Sequence, residues 1–400
     1  MPRAGLRFPA ARTAASLLAA GLLAGCAGSS AAPKAAAAAG NAITVSAAAC
    51  GSGWRHPAAG LQTLQIHNAS AGAVDVTLTD PGTGAVYARV EGIGPGTTRA
   101  MPVDVGSGGY AFACSGVGYG DRVGTTIEIP GHVRGTAAIL PPDLNDTITT
   151  MRQSSAYVAS GLATLAGQAA VLAAQIRAGD LAAARAAWLP AHLTYERLGS
   201  AYGMFGSYDD EIDGLPDGLP GGVHDPGFTG FYRLEYGLWH GQPAAGLTGA
   251  ADTLDLDVRA LARTWRLRSQ IGAPAVFYDL SDLALRTHEI LEHAMQFQLS
   301  GHDDFGSGTT LATAAANIDA TREQLNILHP LLVTRYSNLP ALDTWLNRLQ
   351  RLIDAAHTSR GWTPAAQLTT AQREQIDAAA GQTLELLAPI PVMFEARPQS

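Results

Sequence analysis

The chain has 400 residues, 47% of them hydrophobic and 15% charged, with a formal net charge of −8 at pH 7. That balance argues against nucleic acid as a partner. An acidic chain favours cations instead.

The chain opens with Arg3, Arg7 and Arg12, followed by an apolar run ending Leu22-Leu23-Ala24-Gly25-Cys26. A basic start, a short apolar core and a small-residue cleavage region form a secretory signal. The run is too short for a comfortable spanning helix. Leu-Ala-Gly-Cys matches the bacterial lipobox, in which the cysteine is lipidated and becomes the mature first residue. Residues 1–25 therefore read as a lipoprotein signal peptide and Cys26 as the lipid attachment point. Residues 26–42, low in complexity and rich in Ala, Ser and Gly, read as a flexible tether. The expected location is outside the cytoplasm, lipid-anchored on the outer face of the membrane or cell envelope. No later apolar run reaches spanning length, so the mature chain is expected to be soluble apart from its anchor. With Cys26 lipidated, Cys50 and Cys114 are left as an even pair in an exported protein. That predicts a disulfide.

Residues 43–135 read as a β domain. Short alternating runs at 61–66, 74–78, 86–90, 110–114 and 125–129 are split by Asn68-Ala-Ser, Asp80-Pro-Gly and Gly94-Pro-Gly. Strands at this spacing predict an antiparallel sandwich, and a core of that size benefits from a staple. A blue-copper centre would need a cysteine, two histidines and a nearby methionine. Cys114 is followed by Ser-Gly-Val-Gly, and His67 is the one attractive imidazole in the strands, so such a centre is not expected.

Pro141-Pro142 marks a boundary, after which residues 143–395 take on an Ala, Leu, Gln and Arg composition with helical periodicity. Helices are expected near 144–178, 180–204, 228–240, 248–272, 276–300, 308–335, 338–358 and 367–390. The interruption at 206–226, rich in Gly, Pro and Asp, has the length of a functional loop. His192 and Glu196 are four apart and share a helix face, as do His288 and Glu292; Tyr232 and Glu235 are three apart on another. Asp209, Asp210 and Asp213 sit in the loop between the first pair and the Tyr232 stretch. Several helices offering oxygen and imidazole groups to one interior are how bundle metal sites are built. The His192…Glu196…Gly206 and His288…Glu292…Gly301 stretches also look distantly alike, a hint of duplication.

At Tyr195-Glu-Arg-Leu198, the Asp209/Asp213 loop, Phe228-Thr-Gly-Phe-Tyr-Arg-Leu-Glu235, His288-Glu-Ile-Leu-Glu292 and Asn317-Ile-Asp-Ala-Thr-Arg322, the chain resembles the EfeO/EfeM iron-uptake lipoproteins. Their helical part is the imelysin, or M75 peptidase-like, domain. The resemblance covers nearly the whole mature chain and implies a cupredoxin-like β-sandwich followed by an all-α bundle. It further implies an iron-binding component that hands iron to a membrane permease, with a haem peroxidase as second partner. The family's His-x-x-Glu signature falls on Tyr232 and Glu235, so tyrosine stands where the family has histidine. The resemblance implies Glu235 directly as a metal ligand, and Glu196, Asp209, Asp213 and Glu292 by position. His192 and His288 enter on spacing as well as context.

Carboxylates, imidazole and phenol suit Fe3+ or Fe2+, manganese or zinc better than copper(I). Iron is the expected ion, with zinc or copper as substitutes, and a phenolate from Tyr232 would favour the ferric form. Two rival functions are a metallopeptidase and a non-catalytic protein-binding module. The zincin pattern wants a second histidine four residues after the first. Here that position is Glu292, and His293 falls one residue too far round the helix, so no enzyme activity is expected.

Overall fold

A computed structural model describes residues 42–116, 120–199, 203–270 and 279–395. The signal peptide, Cys26 and the tether up to residue 41 lie outside the described residues.

The first nine strands are β1 (Ala42–Ser46), β2 (Ala49–Ser52), β3 (Gly60–Asn68), β4 (Val74–Thr79), β5 (Val86–Ile93), β6 (Thr98–Val105), β7 (Gly108–Ser115), β8 (Arg122–Val123) and β9 (Ile127–Ile129). They form two sheets, ordered β2-β1-β3-β6 and β5-β4-β7-β8, with β9 also paired to β7. Alternation fills the space between them. Leu64 and Ile66 of β3, Val74, Val76 and Leu78 of β4, and Tyr110 and Phe112 of β7 are buried together. The sandwich is not wholly antiparallel: β1 runs parallel to β3. β6 goes unread in the sequence because Pro102 interrupts it. Proline cannot donate to a ladder and is tolerated in a sheet on an edge strand, and β6 is the edge. Cys50 on β2 and Cys114 on β7 are joined by a disulfide, Cα to Cα 5.8 Å, so the bond staples one sheet to the other.

The helices are α1 (Leu144–Arg177), α2 (Leu181–Glu196), α3 (Ser207–Asp213), α4 (Gly230–Trp239), α5 (Ala244–Gln270), α6 (Leu280–His293), α7 (Thr310–Leu332), α8 (Leu339–Asp354), α9 (Thr370–Leu387) and α10 (Pro389–Glu395). Their starts follow capping chemistry. Asp143 and Asp146 close a capping box on α1, as do Asp279 and Asp282 on α6. The loop expected at 206–226 carries α3 and a short 3-10 turn, and α6 continues as a π turn over Ala294–Gln298. α1 is long and apolar enough to cross a membrane by length and composition, against the expectation that no such run follows the signal. Its stripe of Val158, Leu162, Leu165, Ala169, Leu172 and Ile176 is buried in the helical core, where α1 packs on α2 and α5. α2 also packs on α4 and α7, which brings the candidate residues within reach of one another.

Candidate metal centre

α2 buries Ala184, Trp188, Ala191, His192, Tyr195 and Glu196. The spacing 184, 188, 192, 196 is a single stripe, so the helix delivers an imidazole and a carboxylate to the core along with its apolar side chains. His192 and Glu196 are each 1% exposed, and Asp213, at the end of α3, is 12% exposed. His192 Nε2 lies 3.0 Å from Asp213 Oδ1 and 3.2 Å from Glu196 Oε1. The hydrogen bond goes to Asp213, and both Glu196 oxygens are left without a hydrogen-bond partner. One ligand atom from each of the three residues falls within 4.8 Å of the others, close enough to share an ion.

Asp213 is positioned by a glycine. Gly230 opens α4 with φ +78°, and a Cβ there would sit 2.1 Å from the Ile212 carbonyl oxygen. Only glycine lets α4 start against the end of α3. The Thr229 hydroxyl fastens the same junction by donating to the Glu211 carbonyl at 3.1 Å. α4 then turns Phe231, Tyr232, Leu234 and Glu235 inward. The His192 ring packs among Trp188, Phe231 and Tyr232.

The electrostatics follow from burying several charges together. Burial pushes the Asp213 carboxyl well above its ordinary range, against the pull of His192 and with the help of the Glu196 charge. Burial works against a charged His192, but Asp213 and Glu196 beside it carry its pKa well up. Burial works against ionised Glu196 too, yet its pairing with His192 holds it below the usual value. The Glu235 carboxyl is raised by burial to about 7, despite accepting hydrogen bonds from the Ser307 and Phe305 amides at 2.9 and 3.2 Å. Glu235 thereby clamps the loop that leads into α7. Tyr232 is buried, its phenol pushed well up by that burial, and it donates to Asp303 Oδ2 at 2.9 Å.

The remaining expected ligands are placed elsewhere. Asp209 accepts from the Tyr195 hydroxyl at 2.6 Å and from the Phe205 amide at 2.9 Å, so it is a strut beneath the centre. His288 and Glu292, with side chains 25% and 51% exposed, pair with each other at 3.6 Å and are not brought to the centre. The α6 core stripe runs Leu280, Leu283, Ala284, Thr287, Ile290 and Leu291, which leaves both off its inner face. The neighbour dismissed in the sequence, His293, is the one near the centre: the Glu196 charge reaches it, opposing the burial that lowers its pKa. Asp303, absent from the expected set, is buried beside Tyr232.

This is the interior of a helical bundle with a buried imidazole–carboxylate cluster. The imelysin (M75 peptidase) family model matches residues 153–390, and the chain belongs to that family. Among curated proteins it is similar to the iron uptake system component EfeO of Yersinia pestis, 27% identical over 321 residues covering 79% of this chain and 80% of that one. EfeO of Escherichia coli O157:H7 is 26% identical over 289 residues, covering 72% and 73% respectively. A solved structure of an iron-regulated protein A precursor from Parabacteroides distasonis aligns at 13% identity with a TM-score of 0.46, over 64% of this chain and 96% of that chain.

Proposed function

We propose that the protein is the iron-binding component of an Efe-type uptake system, lipid-anchored through Cys26 outside the cytoplasm. In this reading it passes iron to a membrane permease and works with a haem peroxidase, and its N-terminal sandwich is cupredoxin-like. The observation that carries the reading is the buried cluster of His192, Glu196 and Asp213, whose ligand atoms lie within 4.8 Å of one another. Nitrogen and carboxylate donors in that number suit iron in either oxidation state, and zinc as a substitute. The Glu196 carboxylate, held below its usual pKa by its pairing with His192, supplies charge to hold such an ion. The EfeO relatives support the iron assignment.

The role is binding, not catalysis. Among the described residues, His192 and Glu196 are each 1% exposed, which shields an ion held between them from a peptide substrate. A hydrolytic metal also needs an open coordination position reachable by substrate. The test is an iron titration of the purified full chain, with zinc and copper as competitors. Iron should bind in preference, and Glu196→Gln with Asp213→Asn should abolish tight binding while helix content stays intact. Unchanged affinity in that double variant refutes the assignment.

A further inference from the structure

The His192 ring touches three aromatic rings, and they lead to different places. Phe231 is a benzene ring, far harder to oxidise than an indole or a phenol. Tyr232 leads on to Phe305, ring centroids 5.4 Å apart, where the same objection holds. Trp188 leads on to a second indole. It lies four residues before His192 on the same face of α2. Its ring centroid is 4.9 Å from that of His192 and 5.5 Å from that of Trp239. Trp188 is buried, whereas Trp239, the last residue of α4, is partly exposed and is followed by the exposed His240. Among the described residues, the ring contacts of His192 therefore include a pair of indoles that starts at the centre and reaches the surface.

Packing alone does not ask for indoles here. Large aromatic rings fill cores by area and shape, and phenylalanine does that as well. What tryptophan adds is a ring that can give up one electron and take it back. The buried centre has a use for that. His192 and Glu196 shut the ion away from reagents in solution. Electron tunnelling falls off steeply with distance, and rings in contact divide one long step into short ones.

We propose that Trp188 and Trp239 form an electron route between an ion held at His192 and the surface at the end of α4. The inference rests on the iron-binding reading of that centre. One electron leaves Fe2+, which becomes Fe3+. It passes through the His192 imidazole to Trp188, then to Trp239, and ends on a one-electron oxidant at the surface, which is reduced by one. Indoles are hard to oxidise, so the oxidant is a strong one, of the class of a high-valent haem. Trp188 Nε1 donates to the Phe231 carbonyl oxygen at 2.9 Å. A carbonyl is too weak a base to take that proton, so the indole loses and regains its electron with the proton in place, and the route is reusable.

The experiment titrates the full chain with ferrous iron in the absence of oxygen, then oxidises the loaded chain with photogenerated tris(bipyridine)ruthenium(III). Absorption follows both the ferric ion and the transient indole radical. In the unmodified chain the radical should form first and decay as ferric iron appears; in the metal-free chain it should persist longer, because no ferrous ion refills it. Trp188→Phe keeps a large ring in the core but removes the oxidisable one. It should leave ferrous affinity unchanged and slow ferric formation by more than roughly tenfold, about 1.4 kcal/mol in the barrier. Trp239→Phe should do the same, and it carries the test if circular dichroism shows that Trp188→Phe does not fold. Ferric formation at the unmodified rate in both variants overturns the route and leaves the centre standing. A chain that binds no ferrous iron in the first titration overturns the reading beneath the route, and the route with it.

Discussion

A Cβ on Gly230 would lie 2.1 Å from the carbonyl oxygen of Ile212. The ends of α3 and α4 therefore meet at a distance that no other residue permits, and Asp213 is the next residue along. We expect Gly230→Ala to cost more than about 2 kcal/mol, from the clash and from the positive φ. It should also weaken iron binding, because Asp213 moves with α3. Chemical denaturation and an iron titration on the same variant check both effects. A variant that loses stability but keeps full affinity would show that the junction does not set the position of Asp213.

The two His/Glu pairs should behave oppositely. His192→Ala should lower iron affinity by more than roughly 100-fold, beyond the range seen for partners outside a metal's own ligands. His288→Ala with Glu292→Ala should change it by less than roughly twofold, as befits a pair open to solvent. Titration of both variants at one pH and ionic strength makes the comparison.

The distinction was present in the sequence, though the spacing of each pair did not reveal it. Spacing of four puts a histidine and a glutamate on one face of any helix but does not say which face. The apolar residues say that. On α2, Ala184 and Trp188 continue into His192 and Glu196, so the pair lies on the buried stripe. On α6, Leu283, Ala284, Thr287, Ile290 and Leu291 form the stripe, and His288 and Glu292 are off it. Testing each pair against its own helix's stripe would have kept His192 and set His288 aside. The helices themselves were legible because their periodic runs are long. β6 was hidden by Pro102, and α3 by the glycines and prolines around it. Asp303 had no sequence signal: its partners Tyr232 and Gln298 are set by tertiary packing and by the π turn.

Stability of the metal-free chain should fall as pH rises toward neutrality. The Glu235 carboxyl is raised by burial to about 7 from an ordinary 4.5. Between those values the folded state holds a proton that the unfolded state has released. Folding is therefore favoured at the acid end, and that advantage is lost as pH climbs through 7. Asp303, raised by burial to about 6, acts in the same direction over a narrower window. Thermal unfolding of the metal-free chain between pH 5 and 8 should show the decline, and Glu235→Gln should flatten it. Iron binding should have the opposite dependence, strengthening over the same interval as the carboxyls ionise.

Removing the disulfide should injure the sandwich and spare the bundle. Cys50 and Cys114 are 64 residues apart in sequence, and opening a loop of that length costs about 4 kcal/mol in the chain-entropy account. Cys50→Ala with Cys114→Ala should lower the midpoint of a β-sheet signal in denaturant. The helical signal and the iron affinity should hold nearly constant. Loss of both signals together would show that the bundle depends on the sandwich for its own stability.

The cysteines have one more implication. All three lie at or before position 114, so the bundle from residue 143 onward contains no thiol. A thiol can reduce a redox-active metal that it touches, and the bundle that carries His192 supplies no cysteine to do so.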